Sequence, residues 1–304
     1  MRAFVTGAGG FVGRNLVHRL LEEGDDVIAV VRDVNSPLYK LAPQIQVICH
    51  DLRNRFRIAA PVDVVFSLAA SADPRRALEN PSEALANSVS VMANTLAYAE
   101  SVGARVIHVS TNEVGAFEVD DEIDNGPVAF CPRGPYAVGK TCQEVICRES
   151  SVDVTTVVAQ SLFGEHQQFD KFIPTALRSL AFGDPVRVQC NRYGNPSGRP
   201  WFYVGDLVDA LVSIARRTSY SRRRFCVGAE ASISNLFVAR VLAEALEQDP
   251  VVALTDIGDR AGHELISIPI RCDVPHNIWM PPMVSVEERL SHVAHWYKGS
   301  WQTA

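Results

Sequence analysis

The chain has 304 residues, of which 47% are hydrophobic and 21% charged, and its formal net charge is −6 at pH 7. This mixed composition is typical of a globular protein and excludes collagen, coiled-coil and disordered chains. Because the charge balance is acidic and no segment approaches the roughly 20 apolar residues of a membrane helix, we expect neither a nucleic-acid partner nor a membrane partner.

Two features of the sequence predict a cytoplasmic location. It opens directly on a strand-like segment, Arg2–Thr6, so no signal peptide is predicted. Its seven cysteines are odd in number and scattered, without a Cys-x-x-Cys pair, which favours reduced thiols over a disulfide framework. His292 and His295 have no further ligands close to them in sequence, so we predict no metal site.

Lysine is rare in this chain. Only Lys40, Lys140, Lys171 and Lys298 are lysines among the 29 basic residues, and the others are arginine. A coding bias towards arginine explains this scarcity. A lysine that is retained in such a chain indicates a place where an ammonium group is specifically needed.

Apolar strands alternate with helical segments over the first 160 residues. The strands are predicted at 2–6, 27–31, 45–49, 62–67, 105–110 and 152–158, and the main helices at 11–23, 81–101 and 135–150. Runs of Val and Ile separated by helices predict a parallel sheet that is covered on both faces. The fold class is therefore α/β, a Rossmann-like doubly wound sheet.

The rest of the chain is predicted to alternate between this domain and a smaller lobe. Helices are expected at 169–183, 206–217, 235–248 and 284–297, with strands near 187–200, 224–227 and 251–254. We expect residues 1–163 to bind a dinucleotide, with 201–229 returning to that domain. Residues 164–200 and 230–304 are then expected to form a substrate-binding lobe.

A glycine-rich turn is the first chemical motif. Gly7, Gly10 and Gly13 lie between the first predicted strand and the first predicted helix, which Phe11 and Val12 open. Glycines at this spacing allow a tight turn and a close approach of a pyrophosphate, and the helix N-terminus favours the anion. The motif predicts a dinucleotide site.

The end of the second strand bears on which dinucleotide binds. An acidic residue there favours NAD because it binds the ribose hydroxyls, and Asp33 is available for this role. Arg32 precedes it and can hold a 2′-phosphate, so the sequence favours NADP. Asp51 and Leu52, after the third strand, are expected to contact the adenine.

Tyr136 and Lys140 are one helical turn apart at the start of a predicted helix, so they share a helix face. A free phenol has a pKa near 10 and is a poor base at neutral pH. An ammonium about 4 Å away would stabilise the phenolate by up to ~4 kcal/mol, or about three pKa units. The pair predicts general acid–base chemistry with a lowered tyrosine pKa.

Hydroxyl groups end the fifth strand. Ligands of open α/β sheets bind beyond the carboxyl ends of the strands, so a hydroxyl there can hydrogen-bond both a reacting oxygen and Tyr136. Thr111 is the better candidate and Ser110 is the alternative.

Taken together, these motifs resemble the extended short-chain dehydrogenases/reductases of the nucleotide-sugar epimerase/dehydratase family. The resemblance covers nearly the whole chain. It includes Thr6–Gly13, Thr111 with Val114–Gly115, and Tyr136 to Lys140, together with Gly198–Asp206 and Arg260–Gly262 in the second half. It implies that the cofactor also contacts Leu68, Ala69, Ala70 and Asn87.

The resemblance also implies a reaction. Tyr136 would take the proton of a sugar hydroxyl, usually at C4, while Thr111 positions that hydroxyl and hydride passes to NAD(P). The resulting ketone is then epimerised, decarboxylated or dehydrated. Arg199 and Arg260 would clamp the nucleotide diphosphate of the substrate. The helices at 81–101 and 135–150 would pair in a homodimer.

Three residues depart from the family pattern. Asn112 stands where the dehydratases have an aspartic acid that protonates the leaving hydroxyl, and an amide cannot replace it in that role. Glu113 is retained and offers a base for dehydration or for C3 or C5 epimerisation. Ser161 replaces an asparagine that touches the substrate phosphate, which indicates a remodelled substrate pocket.

The leading hypothesis is therefore an NAD(P)-dependent enzyme that modifies a nucleotide sugar. A reductase that exchanges free NADP(H) is the alternative, and Arg32 favours it. A non-catalytic dinucleotide sensor is a third hypothesis, against which the presence of both Tyr136 and Lys140 argues.

Overall fold

The computed structural model describes residues 1–58, 60–70, 74–115, 117–118, 128–217, 223–256 and 269–302. The strands in chain order are β1 (Arg2–Thr6), β2 (Asp26–Val31), β3 (Gln46–Cys49), β4 (Val64–Ser67), β5 (Arg105–Thr111), β6 (Phe117–Glu118), β7 (Val128–Ala129), β8 (Val154–Ala159), β9 (Leu162–Phe163), β10 (Val186–Cys190), β11 (Gly198–Arg199), β12 (Phe202–Tyr203), β13 (Arg224–Val227), β14 (Ile233–Ser234) and β15 (Val252–Asp256).

The helices are α1 (Phe11–Glu22), α2 (Pro74–Glu79), α3 (Pro81–Val102), α4 (Gly134–Glu149), α5 (Phe172–Phe182), α6 (Val204–Ala215), α7 (Asn235–Ala245) and α8 (Val286–Gln302). Two 3-10 turns, Pro37–Leu41 and Asn112–Val114, are also present. In the part of the chain that the structure describes, no helix combines the length and the apolar character needed to cross a membrane.

The chain folds into two compact units. Unit 1 comprises residues 1–159, 208–227 and 273–280, and unit 2 comprises 160–207, 228–272 and 281–304. The assignment of one unit to the cofactor and the other to the substrate stays a prediction.

Unit 1 contains a parallel sheet. Among the described residues, seven strands follow the order β13-β8-β5-β4-β1-β2-β3, and every neighbouring pair is parallel. The five inner strands are rich in Val and largely buried, as a sheet covered on both faces requires, whereas the edge strands β3 and β13 are more exposed. The predicted Rossmann-like α/β fold is confirmed.

The strand order of unit 1 reverses at β1. From there the chain builds β2 and β3 on one side, then crosses over to build β4, β5, β8 and β13 on the other. Loops that follow β1 and β4 therefore diverge at the carboxyl end of the sheet, where open α/β sheets bind their ligands. The glycine turn follows β1 and Leu68–Ala70 follow β4, so both predicted cofactor segments lie at this point.

Unit 2 is built around a different core. Its helices α5, α7 and α8 supply most of the buried side chains, among them Leu177, Leu242 and Leu290. Strand β10, which pairs in parallel with β15, adds Val186 and Val188 to the same cluster. Unit 2 thus has its own apolar core, while α6 begins in unit 2 and ends in unit 1.

Candidate active site

The glycine turn of unit 1 has no room for a side chain at Gly7 or at Gly13. Gly7 has a φ of +64°, and a Cβ there would lie 2.9 Å from the backbone of Ala69. A Cβ on Gly13, inside α1, would lie 2.3 Å from the Gly7 carbonyl oxygen. Both glycines are therefore required by close backbone packing. Gly10 is the N-cap residue of α1 and has no side chain to cap the helix. The first backbone amides of α1, at Phe11 and Val12, therefore have no side-chain cap and are suited to bind an anion.

Thr6 ties the glycine turn to the loop after β4. Its hydroxyl accepts hydrogen bonds from the amides of Leu68 at 3.0 Å and Ala69 at 3.2 Å, and donates to the Phe66 carbonyl at 3.1 Å. These bonds hold the two predicted cofactor segments together. Sequence reasoning treated Thr6 only as the start of the motif, although a hydroxyl at a strand end is a signal for such a bond. Ala70 is exposed at the end of the same segment.

Charged side chains lie where the adenosine of the dinucleotide is predicted to bind. Arg32 is exposed just after β2, and its charge reaches Asp51. Asp51 is bound by Arg53, whose Nη2 donates to Oδ2 at 2.5 Å, and this hydrogen bond is the main cause that lowers the pKa of Asp51 to about 2. Leu52 is buried, and its carbonyl accepts a hydrogen bond from Asn94 of α3. Sequence reasoning missed Arg53.

Asn87 lies on α3 and is partly buried. Its amide nitrogen is 3.5 Å from Oε1 of Glu83, one turn earlier, which is at the limit of a hydrogen bond. The amide is therefore only weakly restrained, and a role of Asn87 at the cofactor stays a prediction.

Helix α4 and strand β5 bring the predicted catalytic groups together. The side chains of Tyr136 and Thr111 share a hydrogen bond, and the Lys140 Nζ donates to the Val109 carbonyl oxygen at 2.7 Å. Four residues of a helix advance about 6 Å, and two residues of a strand advance about 6.6 Å. A helix packed along β5 therefore places both residues against the end of that strand.

Burial raises the pKa of Tyr136 above its ordinary value of 10, the nearby Glu113 carboxylate raises it further, and the Thr111 hydrogen bond lowers it. This direction is the opposite of the sequence-based expectation. Tyr136 is partly buried, and the protein around the phenol displaces hydration that its charged form needs. The Lys140 ammonium, which was expected to offset this cost, donates to the Val109 carbonyl and to the side chain of Gln143.

Lys140 is 5% exposed, and burial lowers its pKa from 10.5 to about 8. The Glu144 carboxylate raises the pKa of Lys140 electrostatically, whereas the neighbours His108 and Cys147 are themselves neutral. Burial, and secondarily Lys140, holds the pKa of His108 well below 6.5, and burial raises the pKa of the Cys147 thiol to about 12.

Ser110, the alternative to Thr111, is engaged elsewhere. Its hydroxyl donates to the Glu144 carboxylate of α4 in a short hydrogen bond. The other oxygen of Glu144 accepts from Arg224 Nε of β13 at 2.9 Å, so Glu144 is neutralised by an arginine. This network leaves Thr111 as the strand-end hydroxyl that contacts Tyr136.

The residues after β5 form a 3-10 turn. Thr111 precedes the turn, and its hydroxyl accepts the amide of Glu113 at 3.3 Å. Asn112 is partly buried, whereas Glu113 is exposed yet close enough to affect the Tyr136 phenol electrostatically. The turn therefore brings the Glu113 carboxylate near the hydroxyl pair, and the role of Asn112 stays a prediction.

Apart from Thr111 of unit 1, the predicted substrate residues lie in unit 2 or outside the described residues. Ser161 has a φ of +40°, and its carbonyl accepts the amide of Phe202 at 3.1 Å. Arg199 lies on β11, where its Nη1 donates to the Gly198 carbonyl at 2.7 Å. Arg260 lies outside the described residues. The catalytic and cofactor candidates, in contrast, all lie in unit 1.

Comparison with known proteins supports the resemblance found in the sequence. A family model described as the NAD dependent epimerase/dehydratase family matches residues 3–228. The dTDP-glucose 4,6-dehydratase of Mycobacterium tuberculosis is 28% identical over 320 residues, which cover 99% of this chain and 95% of that protein. UDP-glucuronic acid decarboxylase 1 of Danio rerio is 29% identical over 231 residues, 70% of this chain and 53% of that protein.

A solved structure shows the same fold over the whole chain. The crystal structure of UDP-glucose 4-epimerase with UDP-glucose from Thermotoga maritima has a TM-score of 0.82 at 20% identity, covering 99% of this chain and 100% of that one. The family model spans unit 1 up to β13, including the glycine turn, Thr111 and the Tyr136–Lys140 pair. The chain therefore belongs to the NAD-dependent epimerase/dehydratase family of enzymes.

Proposed function

We propose that this protein oxidises the sugar of a nucleotide-diphosphate sugar to a transient ketone, usually at C4, and then epimerises, decarboxylates or dehydrates it. The observation that carries the proposal is the Tyr136–Thr111 hydrogen bond, with the Lys140 ammonium one helical turn away on α4. Relatives that catalyse dehydration and decarboxylation of nucleotide sugars support this substrate class.

The residues present fit a dinucleotide. The backbone of the glycine turn is too close-packed for any Cβ at Gly7 or Gly13, and it leads into the N-terminus of α1 at the point where the strand order reverses. The pyrophosphate would lie there, and Arg32 or Asp51 would lie towards the adenosine. When bound, the dinucleotide accepts and returns the hydride of the sugar carbon.

Side chains of the protein would transfer the proton of the sugar hydroxyl. Tyr136, once it has lost its own proton to solvent, would take the proton of the sugar hydroxyl on its Oη and become a neutral phenol, and the Thr111 hydroxyl would donate to the phenolate before that transfer. The Lys140 ammonium would stabilise that phenolate through its positive charge. Glu113 opposes the phenolate electrostatically and is suited to act as a base on the carbon next to the ketone.

Asn112 argues for an outcome other than simple dehydration, because its amide cannot protonate a leaving hydroxyl. Decarboxylation needs no such acid, since the ketone itself accepts the electrons, and epimerisation at C3 or C5 needs only a base such as Glu113. All three outcomes stay open.

Incubation of the purified enzyme with a panel of nucleotide sugars distinguishes them by mass. Dehydration removes water, decarboxylation removes carbon dioxide and epimerisation leaves the mass unchanged. Tyr136→Phe should lower turnover by about 10²–10⁴-fold while dinucleotide binding is retained, because only proton transfer is lost. Full activity of this variant would contradict the mechanism.

A reductase that exchanges free NADP(H) is the second candidate, and the exposed Arg32 at the end of β2 favours it, as it favours NADP over NAD. Denaturing the purified protein and identifying the released dinucleotide separates the two candidates. Tightly held oxidised cofactor supports recycling during one turnover, whereas a protein that releases none and binds added NADPH supports the reductase.

We also propose a homodimer formed by α3 and α4. An open groove of about 440 Å³ between these helices would face the second copy. It is lined by the apolar side chains of Ala93, Leu96, Ala97, Ile146 and Val152 and by the polar side chains of Glu100, Glu149 and Ser150.

A further inference from the structure

Gln143 is a completely buried amide beside the Lys140 ammonium. Its exposed fraction is 0%, and it lies three residues after Lys140 on α4, so the two side chains are neighbours on the helix surface. Lys140 Nζ donates to Gln143 Oε1 at 2.8 Å and to the Val109 carbonyl at 2.7 Å. Two of its three N–H groups are therefore committed to uncharged oxygens, which orient the ammonium without cancelling its charge.

The orientation of the Gln143 amide is fixed from both sides. An ammonium can only donate, so the amide oxygen must face Lys140. The amide nitrogen then donates to the Ser88 carbonyl of α3 at 3.0 Å. Gln143 thus connects the ammonium on α4 to the backbone of α3, next to Asn87.

Close packing of the two helices makes this bridge possible. A Cβ on Gly139 would lie 2.6 Å from the Ser88 Oγ, so α4 approaches α3 closely at this level. One turn later on α4, the Gln143 side chain is long enough to reach the Ser88 carbonyl. A shorter side chain at position 143 would leave both the ammonium and this carbonyl without that partner.

The other titratable groups around Lys140 do not neutralise it at neutral pH. On β5, His108 is uncharged because burial lowers its pKa. On α4, the thiol of Cys147 is uncharged, and burial keeps the Tyr136 phenol protonated in the resting protein. The Glu144 carboxylate raises the pKa of Lys140 electrostatically, but its oxygens bind Ser110 and Arg224, not the ammonium. The orientation of the ammonium therefore depends on dipoles, and Gln143 supplies one of the two.

We propose that Gln143 is a positioning residue for the catalytic lysine, holding the Lys140 ammonium charged and aligned along β5 through an amide that is itself anchored on α3. The inference rests on the proposed function only for what the ammonium does in catalysis. The proposed role concerns the charge state and the placement of Lys140, and both are measurable without substrate.

The four lysines of the chain make a direct test practical. Protein labelled with ¹³Cε-lysine should give four signals, and the Lys140→Met variant assigns one of them. In the wild type this signal should titrate near pH 8. In Gln143→Leu it should titrate lower by about half a pH unit or more, because the ammonium loses an acceptor, and in Gln143→Glu it should titrate higher, because it gains a carboxylate.

The alkaline limb of the kcat/KM profile should move in the same two directions, with kcat/KM lowered about tenfold in Gln143→Leu. Thr141→Ser, on the same helix, is the matched control and should move neither. Gln143→Met replaces Gln143→Leu if that variant does not fold. Opposite shifts support the proposal even if no nucleotide sugar is turned over, in which case the proposed function alone fails. An unchanged Lys140 titration in the Gln143 variants overturns the proposal.

Discussion

The two units each contain a largely buried cation, and the partners of the two cations differ in kind. In unit 1, the Lys140 ammonium donates to a backbone carbonyl and to the amide oxygen of Gln143. In unit 2, Arg289 donates to the Asp206 carboxylate at 2.5 Å, and its guanidinium lies 4.5 Å from the centre of the Tyr203 ring. The first cation is solvated by dipoles, whereas the second is neutralised by an ion pair.

We interpret this difference as one between a cation proposed to act in the reaction and a cation that stabilises the fold. Burying a charge without a counter-ion costs free energy, and the lowered pKa of Lys140 reports that cost. We propose that the charge stabilises the phenolate form of Tyr136, which takes the substrate proton, and that this role outweighs the cost. Arg289 is paired with a carboxylate instead, and this pairing joins α8 to α6 within unit 2, so we assign it to stability.

The largest effect should come from Lys140→Arg. The substitution keeps the positive charge, but the planar guanidinium is larger than the ammonium and does not fit the space between Val109 and Gln143. We expect kcat to fall about 10²–10³-fold. Lys298→Arg, an exposed position on α8, is the control and should behave as the wild type. An active Lys140→Arg enzyme would show that any cation suffices there.

A smaller effect, on stability, is expected from Asp206→Asn. It leaves the Arg289 guanidinium, 24% exposed, without its carboxylate, and the free energy of unfolding measured in urea should fall by about 2 kcal/mol. Glu287→Gln, an exposed carboxylate on the same helix as Arg289, should change it little. Equal free energies of unfolding for Asp206→Asn and Glu287→Gln would show that the Arg289–Asp206 ion pair does not stabilise unit 2.

The smallest effect is expected from His292→Gln in unit 2. The His292 Nε2 lies 2.7 Å from Glu165 Oε1, which also accepts the Tyr203 hydroxyl at 2.8 Å, but the His292 side chain is 59% exposed. Water can replace this bond, so urea unfolding should report a loss of no more than about 1 kcal/mol. A loss larger than that of Asp206→Asn would reverse the ranking and identify Glu165 as the main anchor of this cluster.

The local motifs were predictable because their signals are contained in short segments. Strand and helix periodicity gave the α/β fold, and the observed bounds of β1, β2 and α3 lie within a residue of those predicted. The sequence predicts that Gly7 and Gly13 allow a close approach of the backbone, and the structure shows that a Cβ at either position would overlap backbone atoms. Such constraints act over a few consecutive residues, so a short stretch of sequence is enough to predict them.

The partners of the buried charges were not predictable in the same way. Glu144 of α4 binds Ser110 of β5 and Arg224 of β13, and nothing near Glu144 in sequence indicates either partner. The pKa of Tyr136 was predicted in the wrong direction because its spacing to Lys140 is a local fact, whereas its burial and the approach of Glu113 are not.

The sequence by itself therefore determined the fold class, the family and the chemical types of the reacting groups, down to a lysine retained in a chain that prefers arginine. Only the tertiary structure decided how that lysine is held: by Val109 of β5 and by Gln143, which is anchored on α3. The physical reason is that desolvation and hydrogen-bond geometry depend on which elements pack together, and a buried charge takes its properties from those neighbours.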